Sequence, residues 1–217
     1  MKRYDTPSWV EAFTTGVEEF PLSVETLGLP RQTHTDHVRW MDEAGRPAAT
    51  DAVITRVPGL WLGVKTADCI PVLLYDERQR LVAAVHAGWR GTVKRIVEKT
   101  IREMGSQGCD LHAIIGPGIS ADAFEVGDEV YEAFRQAGFP MERIAHKREK
   151  WHLDLWQANA WALEQAGVKD IFIDGTCTFS SPDFYSARRD TINTGRNMNC
   201  IRIVNENENE TLRYENP

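Results

Sequence analysis

Two apolar runs, residues 72–75 and 81–85, enclose a short polar turn and constrain the fold of this chain more than any other feature. Such a pattern is typical of a buried β-hairpin. Cys69 stands just before the first run and His86 just after the second. Because a hairpin brings the start of its first strand beside the end of its second, we expect the thiol and the imidazole at the same end of a sheet. The sequence therefore predicts a functional site at that end.

The length and charge of the chain narrow the classes of protein. Its 217 residues suffice for one substantial core, and its net charge of −7 argues against a nucleic-acid or anionic-membrane surface. The first residues lack the apolar core of a signal peptide, and no run approaches the roughly 18 apolar residues of a membrane span. The four cysteines form no CxxC pair, which favours reduced thiols. We therefore expect a cytoplasmic protein with a small-molecule partner.

The remaining patterns predict both strands and helices in one domain over residues 1–204. Strands are predicted at 10–14, 111–115, 171–174 and 200–204, and the runs 51–55 and 60–64 around Pro58-Gly59 predict a second hairpin. Amphipathic stretches predict helices at 91–105, 129–137 and 155–166, the last capped by Asp154. Residues 1–31 are hard to interpret. The acidic, low-complexity segment 205–217 is expected to pack weakly.

His34, Cys69 and His86 together offer two imidazoles and a thiolate. This ligand set suits zinc, and three protein ligands leave a fourth position open, as in catalytic sites. Copper is an alternative metal for the same ligands. From spacing alone, Cys69 as a buried apolar residue and His86 as a core histidine remain the alternative. A fourth ligand from His37 or Cys177 would instead favour a structural metal.

Several motifs resemble one family. The segments Q-T-H at 32–34, T-A-D-C-I-P-V at 66–72 and H-A-G-W-R-G at 86–91 closely resemble the YfiH-like family, whose members are described as laccase-domain or multicopper polyphenol oxidases and as purine nucleoside phosphorylases. The likeness continues through I-G-P-G-I, F-E-V-G-D-E-V, D-L-W-Q-A-N, F-Y-S-A-R-R-D and T-G-R, and it covers most of residues 32–203.

The resemblance implies a fold, a metal and an activity. The fold is a single α+β domain with mixed and antiparallel β-sheets surrounded by helices, and the metal is zinc held by His34, Cys69 and His86. The activity is phosphorolysis of adenosine, inosine and methylthioadenosine to free base and ribose 1-phosphate, with accompanying adenosine deaminase activity. Purine nucleoside and phosphate are then the partners of a monomer or homodimer, with no nucleic acid or membrane.

Two positions differ from the family pattern. Thr35 stands where the family has a glycine, and Gly16 stands where it has an arginine. At Gly16 an anion-binding side chain of the family is therefore missing.

Further side chains are candidates for the chemistry. Asp68, beside Cys69, is predicted to act as a general base or to orient a metal ligand, and structural support of the site is the alternative. Arg90 is predicted to be catalytic, at the start of a helix whose free N–H groups favour anions. The predicted substrate-binding residues are Gln32, Trp89, Arg188, Arg189 and Arg196. Trp89 would stack on a purine and the arginines would hold phosphate, although core packing and solvated surface positions remain the alternatives.

Three other functions stay open at this point. Cys69 as a nucleophile with His86 as its base would make an amide hydrolase that edits peptidoglycan precursors. A copper-dependent polyphenol oxidase would need many histidines, and the chain has six. A metal with four protein ligands would mark a non-enzymatic binding module.

Overall fold

The computed structural model describes residues 1–205, which form three β-sheets and six α-helices. The predicted acidic segment 205–217 lies, apart from Asn205, outside the described residues. The strands are β1 (Lys2–Arg3), β2 (Val10–Thr15), β3 (Leu27–Gly28), β4 (Val38–Trp40), β5 (Ala52–Thr55), β6 (Trp61–Thr66), β7 (Ile70–Asp76), β8 (Leu81–Ala87), β9 (Leu111–Ile115), β10 (Glu125–Val126), β11 (Ala145–Lys147), β12 (Trp151–Leu153), β13 (Asp170–Ile173) and β14 (Asn197–Ile203). The helices are α1 (Trp89–Val93), α2 (Ile96–Met104), α3 (Asp128–Gln136), α4 (Met141–Ile144), α5 (Leu155–Gln165) and α6 (Ala187–Asp190).

The predicted hairpin forms the centre of a six-stranded mixed sheet. The strand order is β13-β9-β7-β8-β5-β4, and β7 and β8 are antiparallel. Pro71 lies opposite His86, and every residue of both strands is buried. The strands read as continuous apolar runs because the sheet is covered on both faces. The prediction that Cys69 and His86 lie at one end of a hairpin is confirmed.

A five-stranded sheet with the order β1-β2-β14-β6-β3 packs against the six-stranded sheet. The core between the two sheets includes Leu62 and Ile201 on one side and Val53, Leu73 and Ile114 on the other. The two sheets thus share one apolar layer, whereas β10, β12 and β11 form a small separate sheet.

The prediction that the runs 51–55 and 60–64 form a second hairpin is wrong. Strands β5 and β6 belong to different sheets: β5 pairs with β8 and β4, and β6 pairs with β14 and β3. The turn at Pro58-Gly59 carries the chain from one sheet to the other, and the Gly59 N–H donates to Ile203 O at 2.8 Å. A turn between two apolar runs looks the same in sequence whether the runs pair with each other or face each other across a core.

Helices cover the outer face of the six-stranded sheet. Their core includes Ile96 and Ile101 of α2, Phe134 of α3 and Leu163 of α5. The predicted helix start at Asp154 is confirmed, since its carboxylate accepts the Gln157 N–H at 2.9 Å.

The predicted single helix over 91–105 is two helices. Arg95 adopts a left-handed conformation with φ 63° between α1 and α2. Its guanidinium lies 4.1 Å from the Phe139 ring centroid and 4.5 Å from that of Trp161. It also donates to Ala137 O at 2.7 Å. The apolar stripe continues through the break, so the periodicity did not reveal it.

All four cysteines are free, in agreement with the prediction. Within residues 1–205, no helix combines the length and the apolar character needed to cross a bilayer.

Candidate metal centre and active site

Three side chains that are distant in sequence meet at the end of the central hairpin. His34 lies in the loop before β4, Cys69 just before β7 and His86 in β8. Their candidate ligand atoms all lie within 4.8 Å of one another, and Cys69 Sγ is 3.8 Å from His34 Nε2. The structure therefore brings together the three residues that were predicted as metal ligands.

Asp51, which precedes β5, holds both histidines in place. Its buried carboxylate accepts from His86 Nδ1 at 2.7 Å and from the His34 backbone N–H at 3.0 Å. It also accepts from the backbone N–H of Thr33 and from the N–H and hydroxyl of Thr35. A carboxylate that bonds one ring nitrogen of a histidine orients the other nitrogen toward a metal. Sequence reasoning missed this residue, and its only signal was an acid placed directly before an apolar strand.

The electrostatics of the site favour a thiolate at Cys69. Burial raises the pKa of this thiol, but the charge of His86 and the hydrogen bond with His34 outweigh burial and lower the pKa overall. For His86, burial lowers the pKa, while the Cys69 thiolate and Asp51 raise it more strongly. Burial also raises the pKa of the Asp51 carboxyl, but its hydrogen bonds from His86 and Thr35 hold that pKa well below its ordinary value. The three groups therefore stabilise each other in their charged forms.

The donor set fits a metal ion. Two imidazoles and one thiolate are ligands that suit zinc and also accept copper. Within residues 1–205, this group of His, Cys, Asp and Glu donors has three members and no fourth. His37 Nδ1 lies 2.9 Å from Ala49 O, and Cys177 Sγ accepts from the Ser120 N–H at 3.3 Å. Three protein donors are the arrangement of a catalytic site, so neither predicted fourth ligand supports a structural metal.

Gly88 allows the metal-binding side chains to approach the start of α1. A Cβ atom at this position would lie 3.0 Å from His34 Cδ2 and 3.1 Å from Cys69 Sγ. A larger residue would therefore press on both candidate ligands.

The three side chains open into a cavity of about 340 Å³. This volume is in the range of small-molecule sites, roughly 300–1,000 Å³. The lining residues are Arg31, Gln32, His34, Lys65, Ala67, Cys69, His86, Ala187, Ile192 and Arg196. Two of the predicted substrate-binding residues, Gln32 and Arg196, are among them. Arg31 and Lys65 were missed because nothing distinguishes them in sequence from surface cations.

The two predicted lining residues are held rigidly. The Gln32 amide donates to Lys65 O at 2.7 Å and accepts from Lys65 N–H at 2.8 Å. The Arg196 guanidinium donates to the carbonyls of Ile192, Thr194 and Gly195. Both side chains therefore reach the cavity from fixed positions.

Arg188 and Arg189 do not line the cavity. The Arg188 guanidinium donates to the carbonyls of Ala123 and Glu125. The Arg189 guanidinium donates to four carbonyls of the preceding loop, those of Thr178, Phe179, Ser181 and Phe184. The structure places both arginines where they hold the loop together.

Asp68, like Arg188 and Arg189, forms hydrogen bonds that hold this loop. One carboxylate oxygen accepts the Thr178 hydroxyl and the other accepts the Arg188 backbone N–H, both at 2.7 Å. These bonds tie the residue before Cys69 to the loop that precedes and includes α6. This geometry corresponds to the supporting role that was predicted as one of its alternatives.

Trp89 and Arg90 lie in the first turn of α1, beyond the lining of the cavity. The Arg90 guanidinium stacks on the Trp89 ring at 4.3 Å from its centroid. The predicted proximity of Trp89 and Arg90 to a helix start is confirmed, but the structure does not bring them together with the lining residues.

Comparison with known proteins identifies the family. Residues 2–204 match the family described as multi-copper polyphenol oxidoreductase laccase. The chain belongs to this family. Among curated relatives, a purine nucleoside phosphorylase from Bacteroides thetaiotaomicron is 42% identical over 87% of this chain and 76% of the relative. The adenosine deaminase RL5 from an unknown prokaryotic organism is 39% identical over 88% of this chain and 80% of the relative.

Solved structures of this laccase-like family share the fold. The protein YfiH from Bacillus licheniformis superposes with a TM-score of 0.79 at 31% identity, over 84% of this chain and 76% of that one. A protein from Neisseria meningitidis superposes with a TM-score of 0.82 at 28% identity, over 94% and 98%. The predicted YfiH-like family and its α+β fold are confirmed.

The two departures from the family pattern have structural explanations. In the Q-T-H motif the residue with a left-handed conformation is His34, with φ 60°, and not the following Thr35. The Thr35 hydroxyl donates to Asp51 at 2.7 Å. At Gly16, a Cβ atom would lie 1.8 Å from Asp183 O, and the Val17 N–H donates to the same oxygen. The loop at Asp183 therefore occupies the space that a side chain at residue 16 would need.

Proposed function

We propose that this protein is a zinc-dependent purine nucleoside phosphorylase with accompanying adenosine deaminase activity. The observation that carries the proposal is the His34, Cys69 and His86 group at the base of a cationic cavity. Relatives named for each of the two activities, at 42% and 39% identity, support it. The substrates would be adenosine, inosine and methylthioadenosine.

His34, Cys69 and His86 would hold the zinc ion, and Asp51 would orient His86. When bound, zinc is a Lewis acid that makes a water molecule nucleophilic near neutral pH, which is the chemistry that deamination needs. The protein's part is to keep the His86 ring and the His34 backbone fixed through one buried carboxylate.

Phosphorolysis requires that a phosphate ion is held against the sugar. An oxygen of phosphate forms a bond to the anomeric carbon while the bond from that carbon to the purine nitrogen breaks. The bonding electrons leave with the purine, which takes up a proton from solvent. Positive charge develops on the sugar, so cationic donors must position the phosphate without reorganising. Arg196 is the predicted arginine that lines the cavity.

The other predicted residues receive roles that follow from their contacts. Gln32 would contact substrate from the cavity wall. Asp68, Arg188 and Arg189 would act indirectly, by positioning the loop around Ala187. Trp89 and Arg90 would bind substrate or take part in catalysis only if substrate extends to the start of α1.

The domain organisation, compartment and partners follow from the same function. Residues 1–204 would form one catalytic domain, and the enzyme would work in the cytoplasm as a monomer or homodimer. Its partners would be purine nucleoside and phosphate, with neither nucleic acid nor membrane.

The decisive experiment is to incubate metal-quantified protein with adenosine, with and without phosphate, and to separate the products. Phosphate-dependent adenine and ribose 1-phosphate are expected, together with some inosine. Inosine alone would reduce the proposal to a deaminase. No turnover of adenosine by zinc-loaded protein would contradict both activities.

One observation favours a second candidate, an amide hydrolase that edits peptidoglycan precursors. The Cys69 thiol has a lowered pKa beside His86, as a nucleophile and its base require. Such an enzyme would work without metal and would be inactivated by a thiol alkylating reagent. A zinc enzyme would instead lose activity when its metal is chelated.

Copper-dependent oxidation of phenols has less support. The family name refers to multiple copper ions, and the donor group has three members among residues 1–205. The structural-metal binding module lacks a fourth protein donor within the same described range.

A further inference from the structure

The lining of the cavity includes three cationic side chains, Arg31, Lys65 and Arg196, which we call the cationic wall. Among residues 1–205, no aspartate or glutamate lines the cavity. Within residues 1–205, none of the three forms an ion pair. An uncompensated group of cations facing a cavity attracts an anionic ligand.

Lys65 has an amine that is available to a ligand. Its side chain is half-buried, and no hydrogen bond from its amine occurs within the described part of the chain. Burial, followed by repulsion from Arg46 and Arg196, lowers the pKa of the amine. Like charges this close raise the free energy of the charged amine, and an anion between them would lower it.

The backbone below Lys65 is rigid. The residue lies in β6, where it pairs with Met198 of β14 on one side. On the other side the Gln32 amide bonds both its N–H and its carbonyl. Arg196 is held by three backbone carbonyls. The Arg196 guanidinium and the backbone of Lys65 are therefore positioned before a ligand arrives, which reduces the entropy lost on binding.

We propose that the cationic wall binds the inorganic phosphate that attacks the nucleoside, with Lys65 as its central charge. This inference rests on the proposed phosphorolysis. The wall shares one cavity with Cys69 and His86, so phosphate on the wall and a nucleoside near the metal ligands would occupy adjoining parts of the same site. The sugar then lies between them.

The test replaces Lys65 without breaking a contact. Lys65→Met removes the charge and keeps the length of the side chain. The matched control is Lys169→Met, because Lys169 is an exposed lysine between α5 and β13 and does not line the cavity. Both variants are made in the full chain, and their zinc content and melting temperature are compared with those of the parent.

Two quantities are measured. The first is the KM for phosphate in phosphorolysis, and the second is the Kd of inorganic phosphate measured by calorimetry without nucleoside. Lys65→Met is expected to raise both by about tenfold or more, the size expected when a hydrogen bond to a charged group is lost. Lys169→Met is expected to change neither.

The outcomes separate this inference from the function on which it rests. If Lys65→Met leaves both constants unchanged while the parent still forms ribose 1-phosphate, the cationic wall is not the phosphate site, although phosphorolysis stands. If the parent forms no ribose 1-phosphate, the proposed function fails. Calorimetry alone then decides whether the cationic wall binds phosphate. Phosphate binding lost in Lys65→Met would then support the anion site, and no binding to the parent would refute it.

Discussion

At the scale of single residues, Asp51 organises the site although it is not itself a member of the donor group. One carboxylate joins the ring of His86 to the backbone around His34. His34 lies in a loop and His86 in a central strand, and this carboxylate is a direct link between them. The position of Asp51 therefore sets the geometry that a metal would find.

Asp51→Asn is expected to weaken zinc binding by about 10–100-fold. The amide has one acceptor oxygen in place of two, so it cannot serve His86 and the amides of residues 33–35 together. Zinc affinity is measured by competition with a chromophoric chelator. Asp122→Asn, at a carboxylate whose side chain is 74% exposed, is the control and should bind zinc like the parent. Equal affinity in both variants would show that Asp51 does not orient the ligands.

Cys69→Ala is expected to abolish both metal binding and activity while the fold is retained. Cys69 is half-buried just before the central strand β7 and lies outside the apolar core clusters, so its loss leaves their packing intact. Metal content and adenosine turnover are the measurements. Cys109→Ala, at an exposed cysteine, serves as the matched variant. Full activity of Cys69→Ala would remove the metal mechanism and the amide-hydrolase alternative alike.

At the scale of elements, the break between α1 and α2 separates a helix beside the candidate metal ligands from a helix that packs on the sheet. Helix α1 begins beside Gly88, which packs on His34 and Cys69, whereas α2 packs on the sheet through Ile96 and Ile101. The left-handed residue Arg95 lets the two helices point in different directions. Its guanidinium contacts two aromatic rings, and these contacts offset the backbone strain at this position.

Arg95→Ala is expected to lower the free energy of unfolding by about 2 kcal/mol, since it removes the cation–π contacts and the bond to Ala137 O. Arg95→Gly should lose about 1 kcal/mol less, because glycine adopts φ 63° without strain. Urea unfolding measures both. Arg102→Ala, at an exposed position of α2, should lie within about 0.5 kcal/mol of the parent. If Arg95→Ala matched Arg102→Ala, the aromatic contacts would not stabilise the break.

At the scale of the whole molecule, the site lies on a scaffold that is stabilised elsewhere. One apolar core lies between the helices and the six-stranded sheet, and another lies between the two large sheets. The candidate metal ligands belong to neither. We therefore expect the fold to form without the metal, unlike small domains whose metal binding supplies their folding free energy.

Removal of zinc by a chelator is expected to leave a folded protein without phosphorolysis activity, and added zinc should restore that activity. The melting temperature should fall, since a ligand at 100 times its Kd stabilises the native state by about 2.7 kcal/mol. Circular dichroism and thermal unfolding measure the outcome. An unfolded metal-free chain would indicate a structural metal, and full phosphorolysis activity without metal would refute the zinc dependence.

The sequence by itself determined most elements of the fold, because helices and strands follow from the local periodicity of apolar residues. It also placed Cys69 beside His86, since a hairpin has short-range geometry, and the likeness of its motifs to a family added His34. The tertiary structure alone decided which sheet each of β5 and β6 joins. It also decided that Asp51 supports His86, 35 residues away, and that Asp68 bonds Thr178, 110 residues away. Lys65 and Arg31 became part of the site for the same reason. A side chain that acts through a contact distant in sequence carries no local pattern, so its partner is known only when the chain is folded.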